Sequence, residues 1–263
     1  MRIVWLAEGV TWGPCTRAIA VLAPGAHNQL DGGLVLAHRS SLDNEPLTFE
    51  RVPWRHVDCC TPGEQMQDVL TQTAADVIVA DHCWRELAAA DGRPYLVMGM
   101  HDAEGSTWDL DAMPIHPWAW KHLPTRAAVR HGWGVDDDQL VIGTLSPATR
   151  RNVLENALTD VIPERALHVR LGGWGCSHQM VGCDLVVASA GWASSWEARW
   201  SGVPHCLVDV GGPDQPKRAT HTYASARVEV AAARPALLPP EHTASAEDWV
   251  DPFVRTLHLL RTG

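Results

Sequence analysis

The residues best suited to chemistry in this chain lie between Asp184 and Pro204. The apolar run after Asp184 reads as a buried strand, Ser189-Ala190-Gly191 as a turn, and a helix is expected to begin at about Ser194. Ser194 or Ser195 can cap the first turn, and Gly191, which has no Cβ, allows close approach to the backbone. Unsatisfied N–H groups at such a helix start, reinforced by the helix dipole, suit a diphosphate. Glu197 then falls in the first turn, where its carboxylate can accept hydrogen bonds from ribose hydroxyls, and Gly202 and Pro204 end the helix. A strand–turn–helix of this kind also occurs in α/β proteins that bind nothing at the bend, so the ordinary reading stands beside the anion site.

The continuation adds groups of the same kind. After an expected strand at His205–Val208 the chain runs from Gly211 through Asp214 and Gln215 to Pro216, which suits a first helical position. An acid and an amide together at the carboxyl end of a strand can hold several hydroxyls at once. Upstream, Ser146 with Pro147 makes a helix start over which a phosphate can lie, or else an ordinary βα turn.

These groups need a scaffold, and the pattern of the chain supplies one. Short apolar runs bounded by glycine, proline or acidic residues alternate with helix-length segments, as in parallel sheets with crossover helices. Strands are expected at 2–7, 34–38, 49–52, 77–80 and 95–98 in the first half. In the second half they are expected at 140–142, 167–171, 185–188 and 205–208, with another near 228–231. Helices are expected near 16–23, 63–74 and 85–90, and a last one carries Phe253, Leu257 and Leu260 after Pro252. The stretch from Trp108 to Arg126, with Pro114, Pro117 and Pro124, is the linker candidate, dividing the chain into domains at 1–122 and 123–263. The fold class is α/β, with two Rossmann-like doubly wound domains facing a cleft. Ligands of such sheets sit at the carboxyl ends of the strands.

Composition sets limits on partners. The 263 residues include 46% apolar and 20% charged residues, ordinary values for an ordered protein. A net charge of −10 disfavours a broad nucleic-acid footprint without excluding a local basic patch. No apolar run reaches the length of a membrane span, and the first residues read as a strand rather than a signal peptide. The seven cysteines are then expected to be thiols in a reducing, cytoplasmic compartment. Of thirteen tryptophans, Trp12, Trp84, Trp118, Trp120 and Trp174 fall in expected loops, where they serve either to stack on sugars or bases or to pack the core and the domain boundary.

The residues from Asp184 to Ala219 resemble the donor-binding half of GT-B fold glycosyltransferases, the group that includes the bacterial enzyme adding N-acetylglucosamine to the lipid-linked cell-wall precursor. The resemblance lies in the strand after Asp184, in Gly191 six residues before Glu197, in Gly202-Val203-Pro204, and in Asp214-Gln215 followed by Ala219. It implies that Ser194 and Ser195 lie by the diphosphate, that Glu197 holds the ribose and that Asp214 and Gln215 hold the sugar. Arg218 departs from the pattern, since many relatives carry asparagine there. The segment 140–147 is similar to the first strand and loop of the same half, which adds Gly143 and Thr144 to Ser146 as donor-site residues. The stretch from Arg126 to Gln139 resembles the lead-in to that strand. The activity implied by the resemblance is sugar transfer from a nucleoside diphosphate sugar, a uridine one in this family, to a hydroxyl of a small molecule, a glycan or lipid, or a modified DNA base. The nucleotide sugar is a co-substrate rather than a cofactor, and the family generally needs no metal.

The base is harder to place. In the family's first βα loop, Gly13, Thr16, Arg17 and Ala18 fit the pattern, but Pro14 stands where the acceptor-activating histidine is found. A replacement must lie at the carboxyl end of a first-half strand. Glu8, Asp81 beside His82 and His101 beside Asp102 qualify, and each also reads as a turn, cap or solvated residue. Two further readings remain open: hydrolysis of the nucleotide sugar, as in the hydrolase of pseudaminic acid synthesis with its aspartate–histidine, and binding without catalysis. Cys176, His178 and Cys183, and the adjacent Cys59-Cys60, match no zinc spacing.

Overall fold

The computed structural model describes residues 1–8, 18, 22, 31–37, 54–57, 62–81, 84–98, 124–146, 151–172, 176–212, 215–235, 258–259 and 261. The chain divides into two compact units, Met1–Trp118 with Ser245–Gly263, and Ala119–Ala244. The last residues thus group with the first unit, where the sequence pattern puts them with the second. Arg261 is near enough to Asp76 to help lower its pKa, though the hydrogen bond from the Arg2 backbone does more. Apolar spacing alone does not tell with which unit a terminal segment groups.

In the first unit the described elements are β1 (Arg2–Glu8), β2 (Asp31–Ala37), β3 (Trp54–Val57), α1 (Pro62–Gln72), β4 (Val77–Asp81), α2 (Arg85–Asp91) and β5 (Tyr95–Met98). The strands form one parallel sheet in the order β3-β2-β1-β4-β5. Strand β4 is buried along its whole length, as expected of a parallel strand covered on both faces. Val4, Leu6, Ile78 and Ala80 pack one face of the sheet against Met66 and Leu70 of α1 and Ala88 of α2. Arg93 then ties the end of α1 to the loop after α2, donating to the carbonyls of Leu70 and Thr73 at 2.8 and 2.7 Å and to Asp91. The expected strand at 49–52 lies outside the described residues, and β3 begins at Trp54 instead. Of the expected helix at 16–23, Ala18 and Leu22 are described, helical and buried.

The second unit runs α3 (Arg126–Trp133), β6 (Val141–Leu145), α4 (Arg151–Leu158), β7 (Leu167–Leu171), α5 (Cys176–Met180), β8 (Leu185–Ser189), α6 (Trp192–Trp200), β9 (His205–Val208), a short 3-10 turn (Gln215–Lys217) and α7 (Tyr223–Ala232). Its parallel sheet has the order β7-β6-β8-β9. Residues alternate between two apolar layers: Val141, Val186 and Leu207 in one, Ile142, Val187 and Val208 in the other. The strand expected near 228–231 is wrong, because those residues belong to α7. Ala226 and Val230 are buried while Val228 is 66% exposed, which is helical rather than alternating periodicity. A reciprocal cap between Thr222 and Ser225 starts that helix. Helix α3 is not among the helices expected from the pattern; Thr125 caps it and Gly134 ends it in the left-handed conformation.

Candidate functional site

In a doubly wound sheet the ligand crevice opens where successive connections leave a strand in opposite directions. In the second unit that point lies between β6 and β8, since the chain goes from β6 to β7 on one side and then to β8 on the other. The groups at the carboxyl ends there are Ser146 after β6, the turn Ser189-Ala190-Gly191 after β8, and the connection 211–218 after neighbouring β9.

Helix α6 starts at Trp192, two residues before the expected position, with Gly191 as an extended N-cap that offers no side chain to the first turn. Capping by Ser194 or Ser195 is therefore not what starts it. Ser195 is fully buried and its hydroxyl donates back to the Gly191 carbonyl at 2.8 Å, while Ser194 is partly exposed on the first turn. The backbone N–H groups of the opening turn have no carbonyl one turn earlier, the general condition under which a helix start can accept an anion. A Cβ placed on Gly191 would come no closer than 3.8 Å to the hydroxyls of Ser189 and Ser194. Neither packing nor backbone angle demands glycine at that position. Glu197 consequently sits in the second turn rather than the first, partly exposed.

The connection after β9 folds back over this turn. Gln215 is buried, and its side-chain oxygen accepts from the Val210 backbone N–H at 2.8 Å, which fixes the orientation of the amide. Its side chain lies so close over Gly212 that a Cβ there would stand 2.6 Å from the amide nitrogen. Arg218, 7% exposed, donates through Nε to the Ala190 carbonyl at 3.2 Å. Ala190 in turn donates to Val208 at 2.8 Å, so the ends of β8 and β9 and the start of α6 are one bonded cluster. Asp214 lies outside the described residues.

The β6 residues divide. Ser146 has a buried hydroxyl with no hydrogen-bond partner among the described residues, an arrangement that costs roughly 1–3 kcal/mol unless a ligand completes it. Thr144 is 3% exposed and shares a 2.9 Å hydrogen bond with His168 Nε2. Gly143 is a packing glycine: a Cβ would lie 2.7 Å from Cys183 Sγ and 2.8 Å from Leu171 Cδ1. Burial lowers the His168 pKa more than nearby Glu155 raises it, which favours the neutral ring.

Asp184, which opens the suggestive segment, works at the opposite end of the strands. Its carboxylate takes hydrogen bonds from Arg126, from Arg130 at 3.3 Å and from the Val141 N–H at 2.7 Å. Arg126 and Arg130 also donate to the carbonyls of Cys183 and Gly182, and Arg130 to that of Asp136. The lead-in from Arg126 to Gln139 is thus a buried ionic clamp across the amino ends of β6 and β8. Beside it, burial pushes the Cys183 thiol up to about 12, well away from thiolate chemistry. No group of three metal-ligating side chains occurs among the described residues.

In the first unit the switch point falls between β1 and β4. Asp81 closes β4 opposite Ala7, has no exposed surface, and accepts from Trp5 Nε1 at 2.9 Å. Glu8 ends β1, paired in register with Ala37. His101 and its neighbour Asp102, His82, and the loop holding Gly13, Pro14 and Arg17 lie outside the described residues.

No protein-family model matches the chain, and no curated protein matches it by sequence. Solved structures do match over its whole length. The Streptomyces sp. SF2575 glycosyltransferase SsfS6, complexed with thymidine diphosphate, superimposes with a TM-score of 0.61 at 12% identity, covering 100% of this chain and 96% of that one. The glycosyltransferase SnogD from Streptomyces nogalater gives 0.58 at 10% identity, with 99% of each chain covered. MurG of Acinetobacter baumannii gives 0.51 at 13% identity, with 99% of this chain and 92% of that one covered. The fold is the two-domain GT-B fold of these enzymes. No helix among the described residues is long and apolar enough to cross a membrane.

Proposed function

We propose that this protein moves a sugar from a nucleoside diphosphate sugar to a hydroxyl acceptor, with the diphosphate held at the start of α6. The observation that carries the reading is the bare helix start at Gly191, set at the switch point of the second sheet in a chain with the GT-B fold throughout. Ser146, with its orphaned hydroxyl, and Ser194 add donors toward the phosphates. Glu197 binds the ribose, and Gln215 with Asp214 binds the sugar. Thr144 and Ser195 shape the site without touching the donor, since each hydroxyl is buried and committed within the chain.

In the reaction the acceptor oxygen attacks the anomeric carbon, the bond from that carbon to the distal phosphate oxygen breaks, and its electron pair leaves with the diphosphate. Helix N–H groups aimed at the developing charge stabilise it, so a metal ion is not required. The acceptor proton passes to a base of the first unit, drawn from Glu8, Asp81 and His101. Of these, Asp81 is fully buried and accepts a hydrogen bond from Trp5.

The test is incubation of the intact protein with UDP-sugars and dTDP-sugars, alone and with panels of small-molecule and glycan acceptors. Product that accumulates only when an acceptor is present supports transfer. Rapid release of free sugar from donor alone marks a hydrolase instead, and binding without turnover marks a silent nucleotide-sugar binder.

A further inference from the structure

Trp84 is one of the tryptophans that the sequence leaves between two readings, a surface for a ligand ring or a packing residue, and the structure gives it a part of each. Its ring packs against the apolar cluster that joins the first sheet to α1 and α2, yet the residue is only partly buried. The indole Nε1–H is covered and has no hydrogen-bond partner among the described residues. A buried indole N–H ordinarily finds an acceptor, because without one it forfeits the hydrogen bond it makes to water.

The backbone is unusual at the same residue. Trp84 has φ 75° and ψ 10°, and among the described residues it is the one non-glycine residue with a positive φ. Crowding at Cβ makes this left-handed region costly for a large side chain. Glycine would occupy this N-cap position of α2 without that cost, and Trp84 gives the helix no side-chain cap in return. Strain of this kind gathers where a chain gives up stability to place a side chain for a ligand. Trp84 lies in the connection that leaves β4 at Asp81, beside the switch point of the first sheet.

We infer that Trp84 is a specificity-determining residue whose indole N–H donates to an oxygen on the ring of the acceptor, apart from the hydroxyl that takes the sugar. That the ligand is an acceptor rests on the transfer proposed above. One movement relieves both penalties at this residue: as Trp84 leaves the left-handed region, its N–H emerges from cover and meets the oxygen. A ring without that oxygen leaves the N–H unpaired and binds less well, which is how a site built round a polar group rejects an apolar analogue. Phenylalanine at the same position supplies a ring without the N–H and cannot make the distinction.

The experiment measures binding of matched probes to the intact protein by calorimetry, and follows the indole N–H signals of isotope-labelled tryptophan by NMR. Hydroxyacetonaphthone is compared with ethylnaphthol, and methyl glucoside with its deoxy analogues, for wild type, W84F and W84L. The first pair represents an aromatic acceptor and the second a sugar. In wild type, an oxygen-bearing probe is expected to bind about tenfold or more tightly than its analogue and to shift the Trp84 signal, identified by its absence from the variants. In W84F and W84L the difference within the pair should fall to about twofold, with UDP affinity within about twofold of wild type. Equal binding of both members of each pair by wild type, a Trp84 signal unmoved by every probe, or discrimination retained in W84F overturns the inference. Should one variant fail to fold, the other gives the same comparison. Probes that engage Trp84 but take no sugar from UDP-sugars or dTDP-sugars contradict the transfer and leave the contact standing. Sugar transfer to a probe that does not move the Trp84 signal overturns the contact alone.

Discussion

Asp184 illustrates how a residue can sit in a telling motif and serve another purpose. Its carboxylate joins two buried arginines and a strand N–H at the amino end of the sheet, away from the carboxyl ends where ligands bind. D184N leaves both guanidinium groups without their counter-charge and should cost about 3–5 kcal/mol in urea unfolding. UDP affinity, measured where the variant remains folded, should barely change. His168 gives a pH test with a definite sign. Burial lowers its pKa below the ordinary 6.5, so the unfolded chain takes up the proton first. Stability is therefore fully present above about 6.5 and falls as pH drops toward the lower, folded-state value. Melting curves between neutral and mildly acid pH should show this slope, and H168N should flatten it. The types of both residues are plain in the sequence. Their partners, Arg130 on α3 and Thr144 on β6, are set by helix packing and strand register, which local pattern does not reveal.

At the scale of elements, short apolar runs leave few alternatives, so β5 and β9 fall where the runs predict, and β7 does so on alternating apolar residues. Helix α7 reads as a strand in the sequence because a run of valine and alanine suits either element, and the Thr222–Ser225 cap outweighs β-branching. T222A should accordingly lower stability by about 1 kcal/mol. The start of α6 lies two residues before its expected place because serines look like caps, whereas the cap is Gly191. That shift makes a sharp prediction, since the space around Gly191 admits a side chain and its backbone angles are open to any residue. G191S should raise the melting temperature slightly, through a few tenths of a kcal/mol of capping. The same variant should weaken UDP or dTDP binding, because its side chain occupies the ground the phosphates need. A glycine kept for folding would show the reverse on stability.

For the molecule as a whole, two parallel sheets of doubly wound order, each with a switch point beside chemically capable residues, make the GT-B fold recognisable despite identities of only 10–13% to SsfS6, SnogD and MurG. Alternation of strand and helix carries that information, being repeated in every crossover. The grouping of Ser245–Gly263 with the first unit is not legible, because it depends on tertiary packing rather than on periodicity. The proposed donor site is more readable than the proposed base for a related reason. A diphosphate is held by backbone groups at a helix start, whose glycine and serine leave a local signature, while a base can come from any of several strand ends. The central claim is that the start of α6 binds a nucleoside diphosphate. Calorimetric titration of the intact protein with UDP and dTDP, with G191S alongside, tests it most directly. Saturable binding of at least one of them, weakened by about tenfold or more in a folded G191S, is the predicted result; no binding of either nucleotide, or equal binding by wild type and G191S, would contradict it.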